Sequence, residues 1–198
     1  MGRKSNDKNR KPKTIKVEQW TQALLPKIRK TELKNITMDE LAILMNKSKS
    51  TIYEYFATKE EIFEYITQIR IDRLKAYKKE MYGKTLPPHN HEALSLILTE
   101  GVKDISPFYL KQLQLYYPSA WDIVKAFLHD LLNDLRNFYA SGIHKGIFKK
   151  TSPELLTKLD EYFIMQLITD HHFFNSNQKT LASIIKDYIA LRFEGLYK

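Results

Sequence analysis

The chain contains no cysteine, and this absence removes several classes of protein at once. Without thiols there is no disulfide framework, no cysteine nucleophile and no cysteine-based zinc finger. Only six glycines and seven prolines occur in 198 residues, which is low for a loop-rich β protein and favours long helices. No apolar run approaches the length of a membrane span, and the first twenty residues lack the apolar segment of a signal peptide. These absences predict a soluble, cytoplasmic protein.

Positive charge is concentrated in the first part of the chain. Residues 1–84 hold 20 Lys and Arg against 11 Asp and Glu, whereas residues 85–198 hold 12 of each. The first part therefore carries the whole net charge of +9. A basic segment joined to a neutral one indicates a single surface for a polyanion. Nucleic acid is the leading candidate, and an anionic membrane surface is the second.

Changes in composition divide the chain into three segments. Residues 1–14 are polar and basic, and they form either a flexible arm that follows DNA phosphates or a solubilising tail. Residues 15–84 contain short amphipathic helices and one long connecting helix, and the break at 83–91 separates them from a second domain, 85–198. Helices of the second domain are predicted at 92–104, 107–117, 119–142, 153–174 and 179–196. No segment has the pattern of a strand, so the predicted fold is all-α, with about nine helices.

Two short helices in the first domain have the layout of a helix-turn-helix. Thr37 and Glu40 have the spacing of a capping box that begins the first of them. Asn46 tolerates the left-handed conformation that ends a helix, and Ser48 can cap the next helix, 49–55. Two short helices joined by a tight turn and flanked by longer ones are typical of domains that enter the major groove of DNA.

The stretch 36–66, ITMDELAILMNKSKSTIYEYFATKEEIFEYI, resembles the DNA-binding head of the tetracycline-repressor (TetR) family of bacterial transcription regulators. The similarity covers roughly residues 15–66 without a gap. The residues that carry it are Thr37, Leu41-Ala42, Asn46-Lys47-Ser48, Thr51-Ile52-Tyr53, Tyr55-Phe56 and Lys59-Glu60. At Asn46, Lys47 and Ser50 the chain departs from the family pattern, but no phosphate-binding side chain is lost. The resemblance implies a transcription regulator of double-stranded DNA whose binding a small-molecule effector loosens. We expect a repressor, and a two-fold dimer would make its operator a rough palindrome.

The second short helix has the side chains that a recognition helix needs at its beginning. Lys49 can donate to guanine, and the hydroxyls of Ser50 and Thr51 can reach base edges or phosphates. The resemblance adds that positions matching Thr37, Tyr53 and Lys59 bind phosphates, and that those matching Lys49, Ser50 and Tyr55 approach bases or the groove wall. The predicted DNA-binding residues are Thr37, Lys47, Ser48, Lys49, Ser50, Thr51, Tyr53, Tyr55 and Lys59.

Aromatic residues are concentrated in the second domain, which holds 16 of the 24. Any one of them is a core residue by default, but buried tyrosine hydroxyls need partners. So many in one helical domain indicate a cavity with polar groups in its wall. The resemblance implies a small-molecule pocket among the central helices. The residues predicted to line this effector pocket are Tyr116, Trp121, Phe127, Phe138 and Tyr162.

The last two predicted helices carry apolar residues around most of their circumference, so both of their sides must be covered. The second cover is either an identical chain, packed as a two-fold four-helix bundle, or the rest of the domain around a fully enclosed helix. We expect a homodimer. Its predicted interface consists of Leu156, Phe163, Leu167, Ile185 and Tyr188.

Two other functions stay open at this point. An architectural DNA-binding protein without an effector would have a second domain whose cavity is absent or filled by side chains. A helical metal-dependent hydrolase is the more distant alternative, because the six histidines form no HExxH motif and no tight cluster with carboxylates. No residue stands out for catalysis. The sequence therefore predicts neither an enzyme, a metal site, a cofactor nor a membrane partner.

Overall fold

The structure, a computed structural model, describes residues 10–82, 91–169 and 179–198. These ranges contain ten α-helices and no β-strand, so the prediction of an all-α fold is confirmed. The helices are α1 (Ile15–Gln22), α2 (Leu25–Ile28), α3 (Met38–Leu44), α4 (Lys49–Tyr53), α5 (Lys59–Tyr82), α6 (His91–Gly101), α7 (Pro107–Tyr116), α8 (Pro118–His144), α9 (Pro153–Thr169) and α10 (Leu181–Leu196). Most of the predicted arm, nearly all of the break at 83–91 and the end of the predicted helix 153–174 lie outside the described residues.

The helix-turn-helix forms where its capping residues predict it. The Thr37 hydroxyl accepts from the Glu40 amide at 3.2 Å, and the Glu40 carboxylate accepts from the Thr37 amide at 2.7 Å. Asn46 has a φ of 55°, the left-handed conformation that turns the chain after α3. Ser48 then accepts from the Thr51 amide at 3.1 Å and begins α4. The geometry of the turn is thus encoded in four local residues.

The first amphipathic segment is divided into two helices. α1 ends at Gln22, and α2 begins at Leu25 with Pro26 in its first turn. Proline has no amide hydrogen, and a helix accepts it without cost only in the first turn, where that hydrogen has no partner. The division at Pro26 accounts for one more helix than the sequence predicts.

The core is continuous from the head, which we define as residues 10–58, into the body, which we define as residues 91–198. α5 connects the two, and its Phe63 packs against Tyr117 with ring centroids 4.1 Å apart. Both side chains are buried together with head residues such as Ile28 and α7 residues such as Leu113. A second cluster, centred on aromatic side chains such as Phe138, fills the end of the body away from the head.

Inside the body, α8 packs on α5, α7 and α9, while α6 packs on α5 and α10. No helix among the described residues is both long enough and apolar enough to cross a lipid bilayer.

Candidate DNA-binding surface and ligand cavity

The beginning of α4 presents polar side chains to solvent while its opposite face is held in the head core. Lys49, Ser50 and Tyr53 are exposed, whereas Ile52 and Phe56 are completely buried. Burying one face of so short a helix fixes its rotation about its own axis. The exposed side chains are therefore held in a fixed direction, as base recognition requires.

Lys49 forms an ion pair with Asp39, which lies in the first turn of α3. Its Nζ is 2.9 Å from the Asp39 carboxylate, and the hydrogen bond between them raises the pKa of the Lys49 ammonium. Both side chains are more than half exposed. Exposed pairs of this kind contribute little stability and open at little cost, so the Lys49 ammonium can exchange Asp39 for another acceptor.

The other predicted DNA-binding residues have partners within the head. The Ser48 hydroxyl is occupied by the cap of α4 and lies 2.8 Å from that of Thr51, which is half-buried. Half-buried Tyr55 packs edge-on against Trp20, with ring centroids 6.2 Å apart.

Lys59 and Lys47 are half-buried as well. The Lys59 ammonium donates to the Ile36 carbonyl at 3.2 Å, which brings the first turn of α5 beside Thr37. Thr37 itself is exposed. The structure thus brings the beginnings of α3, α4 and α5 together. The predicted residues that remain exposed there are Thr37, Ser48, Lys49, Ser50 and Tyr53.

The base of the predicted flexible arm, residues 10–13, is held by α5 and by the end of the head, which differs from the prediction of a flexible segment up to residue 14. Arg10 donates to both carboxylate oxygens of Glu61, at 2.9 and 3.1 Å, and Lys11 pairs with Glu54 at 2.8 Å. Lys13 lies 5.0 Å from the centre of the Phe56 ring. The sequence misses this docking because the acids that bind the arm are 43 and 51 residues away along the chain.

A cavity of about 160 Å³ lies inside the body. Its walls come from α5 to α10, with Leu25 of α2 at the end nearest the head. Nearly all of its lining is apolar, with side chains such as Ile97, Leu128 and Leu131.

The predicted effector-pocket residues occupy different places. Phe127 lines the cavity. The other four do not: Trp121 and Phe138 are buried in the core, Tyr116 packs against the core, and Tyr162 is 64% exposed. Residue type alone does not indicate which face of a helix meets a cavity, so a prediction from aromatic content selects core and surface residues together.

The predicted dimer-interface residues face the inside of the protomer. Leu156 and Leu167 are buried, and Phe163, Ile185 and Tyr188 line the cavity, with the rings of Phe163 and Tyr188 stacked 3.7 Å apart. This differs from the prediction that they cover a second chain.

The outer face of α9 carries other apolar residues. Leu155, Leu159 and Tyr162 are exposed and follow one another at spacings of four and three residues, which places them along one stripe. Because α9 is apolar on both faces, its sequence does not show which face is the inner one.

A cluster of polar side chains occupies the end of the cavity away from the head. Asp160 of α9 is buried and accepts hydrogen bonds from the hydroxyls of Tyr139 at 2.6 Å and Tyr188 at 2.5 Å. Arg192 of α10 places its Nε 3.4 Å from the same carboxylate and donates through Nη2 to the Leu156 carbonyl at 2.9 Å.

Burial raises the pKa of the Asp160 carboxyl, and the two tyrosines and Arg192 oppose that rise because they stabilise the charged form. Burial also raises the pKa values of Tyr139 and Tyr188, so both phenols keep the protons that they donate. Sequence reasoning missed this cluster. Its signal is an acid in the buried register of α9, because Asp160 lies four residues after Leu156 and seven before Leu167.

The loop before α3 is hydrogen-bonded to the body. The Leu33 amide donates to the Gln112 side chain at 3.0 Å, and the Tyr117 hydroxyl donates to the Leu33 carbonyl at 3.0 Å. All three residues are buried. α7, which carries Gln112, also lines the cavity through Tyr109 and neighbouring leucines. One helix therefore contacts both the cavity and the segment that leads into the helix-turn-helix.

No family model matches the chain. A curated relative, the uncharacterized HTH-type transcriptional regulator YhgD of Bacillus subtilis (strain 168), is 25% identical over 162 residues, which are 79% of this chain and 85% of the relative. The solved TetR family transcriptional regulator PfmR of Thermus thermophilus superposes with a TM-score of 0.61 at 16% identity, covering 91% of this chain and 96% of its own. The transcriptional regulator FadR of Bacillus subtilis, solved in complex with stearoyl-CoA, superposes with a TM-score of 0.64 at 17% identity. The match covers 90% of this chain and 98% of the FadR chain.

Proposed function

This chain has the fold of the TetR family of transcriptional regulators, and on that premise we propose that it is a ligand-responsive, sequence-specific DNA-binding regulator. It binds a palindromic operator as a homodimer and acts as a repressor in the cytoplasm, where the operator lies. A small molecule that enters the body cavity releases it from the operator.

The observation that carries this proposal is the hydrogen-bonded junction between cavity and head. Gln112 of α7 and Tyr117, which follows α7, bind both polar backbone groups of Leu33, and α7 also lines the cavity. A buried amide and carbonyl that lost these partners would each cost about 1–3 kcal/mol. A ligand that moved α7 would therefore move the head with it. Such a ligand shifts the protein from the arrangement that binds the operator to the one with the head displaced, and it does so only by binding the second more tightly than the first.

For the DNA contacts we propose two groups of residues. Lys49 and Ser50 read base edges at the beginning of α4, and Thr37 and Tyr53 bind phosphates beside it. The remaining predicted residues, which are Lys47, Ser48, Thr51, Tyr55 and Lys59, shape the turn and position the side chains that contact DNA. Lys59 also lies close enough to this surface to add a phosphate contact.

We propose that the effector is an apolar small molecule. The lining of the cavity offers it hydrophobic surface along nearly its whole extent, and such surface selects ligands by apolar area and shape. The complex of Bacillus subtilis FadR with stearoyl-CoA shows that a protein of this fold binds a ligand with a long apolar portion.

The homodimer that we propose uses the outer face of α9. Leu155, Leu159 and Tyr162 form an exposed apolar stripe there. Contiguous exposed apolar surface of this kind marks an interaction site, and a two-fold axis lets the same stripe cover itself. Two heads related by this axis would meet successive major grooves about 34–36 Å apart.

The two alternatives gain no support. An architectural protein needs no cavity, whereas this body contains one that is joined to the head. The described residues contain no group of three histidine, aspartate or glutamate side chains that could hold a metal ion, and a metal-dependent hydrolase would need one.

Selection from random duplex DNA with the full chain tests the proposal. We expect enrichment of one inverted-repeat sequence, because each head of a two-fold dimer reads the same half-site. Enrichment of no sequence, with binding that depends on salt alone, would leave a non-specific DNA-binding protein and overturn the proposal.

A further inference from the structure

The volume of the cavity limits the size of its ligand. The cavity measures about 160 Å³ and is lined almost wholly by apolar parts of side chains. An apolar cavity of about 150 Å³ stays dry and binds benzene or xenon. The cavity of this chain therefore holds a molecule about the size of a benzene ring, and fused rings or long alkyl chains exceed its volume.

The first group of polar side chains in the wall is hydrogen-bonded within the protein. Thr67 and Tyr109 are buried, and their hydroxyls are hydrogen-bonded to each other. Arg70 donates through Nε to the Gly101 carbonyl at 3.1 Å and through Nη2 to the Glu100 carbonyl at 3.3 Å. Its guanidinium therefore holds the end of α6.

The second group of polar side chains in the wall is the cluster around Asp160. The Asp160 carboxylate accepts from the hydroxyls of Tyr139 at 2.6 Å and Tyr188 at 2.5 Å. Arg192 donates through Nη2 to the Leu156 carbonyl at 2.9 Å, and its buried Nε lies 3.4 Å from the Asp160 carboxylate. The polar atoms of the cluster are thus turned toward one another, and the surface that lines the cavity stays apolar.

These internal hydrogen bonds determine the chemistry of the ligand. A hydroxyl, amine or charged group that entered the cavity would give up its hydrogen bonds to water and find no free partner among the described residues of the wall. An apolar molecule has no such hydrogen bonds to lose, and it gains dispersion contacts with the wall. The cavity therefore favours a hydrocarbon over a polar molecule of the same size.

We propose that the cavity binds a small hydrocarbon about the size of a benzene ring, with neither a charge nor a hydrogen-bonding group. This inference rests on the proposed function, because it names the size and the chemical class of the effector. A ligand in the cavity is surrounded by several helices, among them α7, which contributes Leu113 to the wall and binds Leu33 of the head through Gln112.

Calorimetry on the full chain tests the inference with three aromatic probes. Toluene and phenol are of similar size but phenol carries a hydroxyl, whereas naphthalene is as apolar as toluene but has fused rings. We expect toluene to bind about tenfold more tightly than phenol, because the hydroxyl loses its water without finding a partner. Toluene should also bind about tenfold more tightly than naphthalene, because the larger molecule overpacks the cavity. The inference is overturned if toluene does not bind, or if phenol or naphthalene binds as tightly as toluene.

Two variants of neighbouring residues on α6 test whether the ligand lies in this cavity. Ile97→Ala shortens a buried side chain of the wall, and Leu96→Ala is the matched control, because it removes the same number of carbons from an exposed side chain outside the wall. The enlarged cavity of Ile97→Ala should shift the preference about tenfold toward naphthalene, whereas Leu96→Ala should leave it unchanged. Thermal unfolding shows that each variant is folded, and Ile97→Val gives a smaller shift in the same direction if Ile97→Ala does not fold. An unchanged preference in a folded Ile97 variant overturns the assignment of the ligand to this cavity.

The inference and the proposed function fail in different assays. If the chain selects an operator but does not bind toluene, the ligand class is wrong and the DNA-binding function stands. If it binds toluene with the expected preferences but selects no DNA sequence, the ligand class stands and the regulator is lost.

Discussion

Lys49 approaches DNA with its charge already paired. The ammonium is 2.9 Å from the Asp39 carboxylate, so a phosphate that approaches Lys49 also approaches a negative charge. A base edge avoids that repulsion, because guanine offers acceptors to the lysine while a cytosine amino group can donate to the aspartate. We therefore propose that the pair disfavours phosphate relative to bases and that Lys49 reads sequence.

Replacing Lys49 tests whether the beginning of α4 reads bases. Lys49→Ala should flatten the base preference at one position of each half-site, at a cost of about 1–3 kcal/mol in operator affinity. Selection from random DNA measures the preference at every position. If the selected sequences of Lys49→Ala match those of the unchanged chain, α4 does not enter the groove as proposed.

Replacing Asp39 tests the discrimination against phosphate. Asp39→Asn should strengthen binding to random duplexes and reduce the ratio of operator to random affinity, because the released Lys49 can then bind any phosphate. Glu54→Gln is the matched control: it removes one negative charge and frees Lys11, 2.8 Å away, but it leaves Asp39 and Lys49 paired. Anisotropy titrations on operator and random duplexes give both affinities. If the ratio of operator to random affinity falls equally in the two variants, the effect comes from net charge alone.

At the scale of single helices, two glycines in long helices have opposite roles. A Cβ on Gly142 of α8 would lie 2.1 Å from the ring of Phe148, which is completely buried. A Cβ on Gly195 of α10 would meet nothing within 4 Å. Gly142 is therefore required for the chain to pack closely after α8, and Gly195 only weakens its helix.

Substituting alanine at each glycine checks this difference. Gly142→Ala should lower the free energy of unfolding by about 1–3 kcal/mol, as overpacking does. Gly195→Ala should raise it by up to about 1 kcal/mol, because alanine favours the helix more than glycine does. Denaturant unfolding, monitored by circular dichroism, measures both. Equal destabilisation by the two substitutions would show that the contact with Phe148 does not limit position 142.

The same scale shows what the sequence can predict. The beginnings of α3 and α4 follow from Thr37, Asn46 and Ser48, because caps act within four residues and need no tertiary information. The faces of α9 do not follow, because Phe163 and Tyr162 are neighbouring aromatic residues of similar size and only packing separates the inner face from the outer one.

Contacts between distant segments are the part of the site that sequence patterns miss. The bonds from Gln112 and Tyr117 to Leu33 join residues 79 and 84 positions apart. The cluster of Asp160 with Tyr139, Tyr188 and Arg192 forms only when α8, α9 and α10 are placed side by side. Local patterns thus predict the helices and the turn of the helix-turn-helix. The cavity and its connection to the head cannot be predicted in this way and are seen only in the three-dimensional structure.

At the scale of the whole molecule, the proposed homodimer depends on the outer stripe of α9. Leu159→Glu places a charge in the centre of the exposed apolar stripe, and we expect it to convert the dimer to monomers, because a charge buried without a partner is strongly disfavoured. Leu96→Glu is the control, since Leu96 is a similarly exposed leucine on α6, outside the stripe. Sedimentation velocity measures the oligomeric state. If the Leu159→Glu chain sediments as the same dimer, the interface lies on another surface.

The central claim is that occupation of the cavity weakens operator binding, and filling the cavity with a side chain tests it without knowledge of the effector. Leu128 lines the cavity, and Leu128→Trp would occupy part of its volume. Leu115→Trp makes the same change at an exposed leucine of α7 that does not line the cavity. The deciding measurement is the dissociation constant of the selected operator for both variants, each shown to be folded and dimeric. The account predicts that Leu128→Trp weakens operator binding about tenfold, within the usual range of coupling between sites, and that Leu115→Trp leaves it unchanged. A folded Leu128→Trp chain that binds the operator as tightly as the unchanged chain would contradict the account.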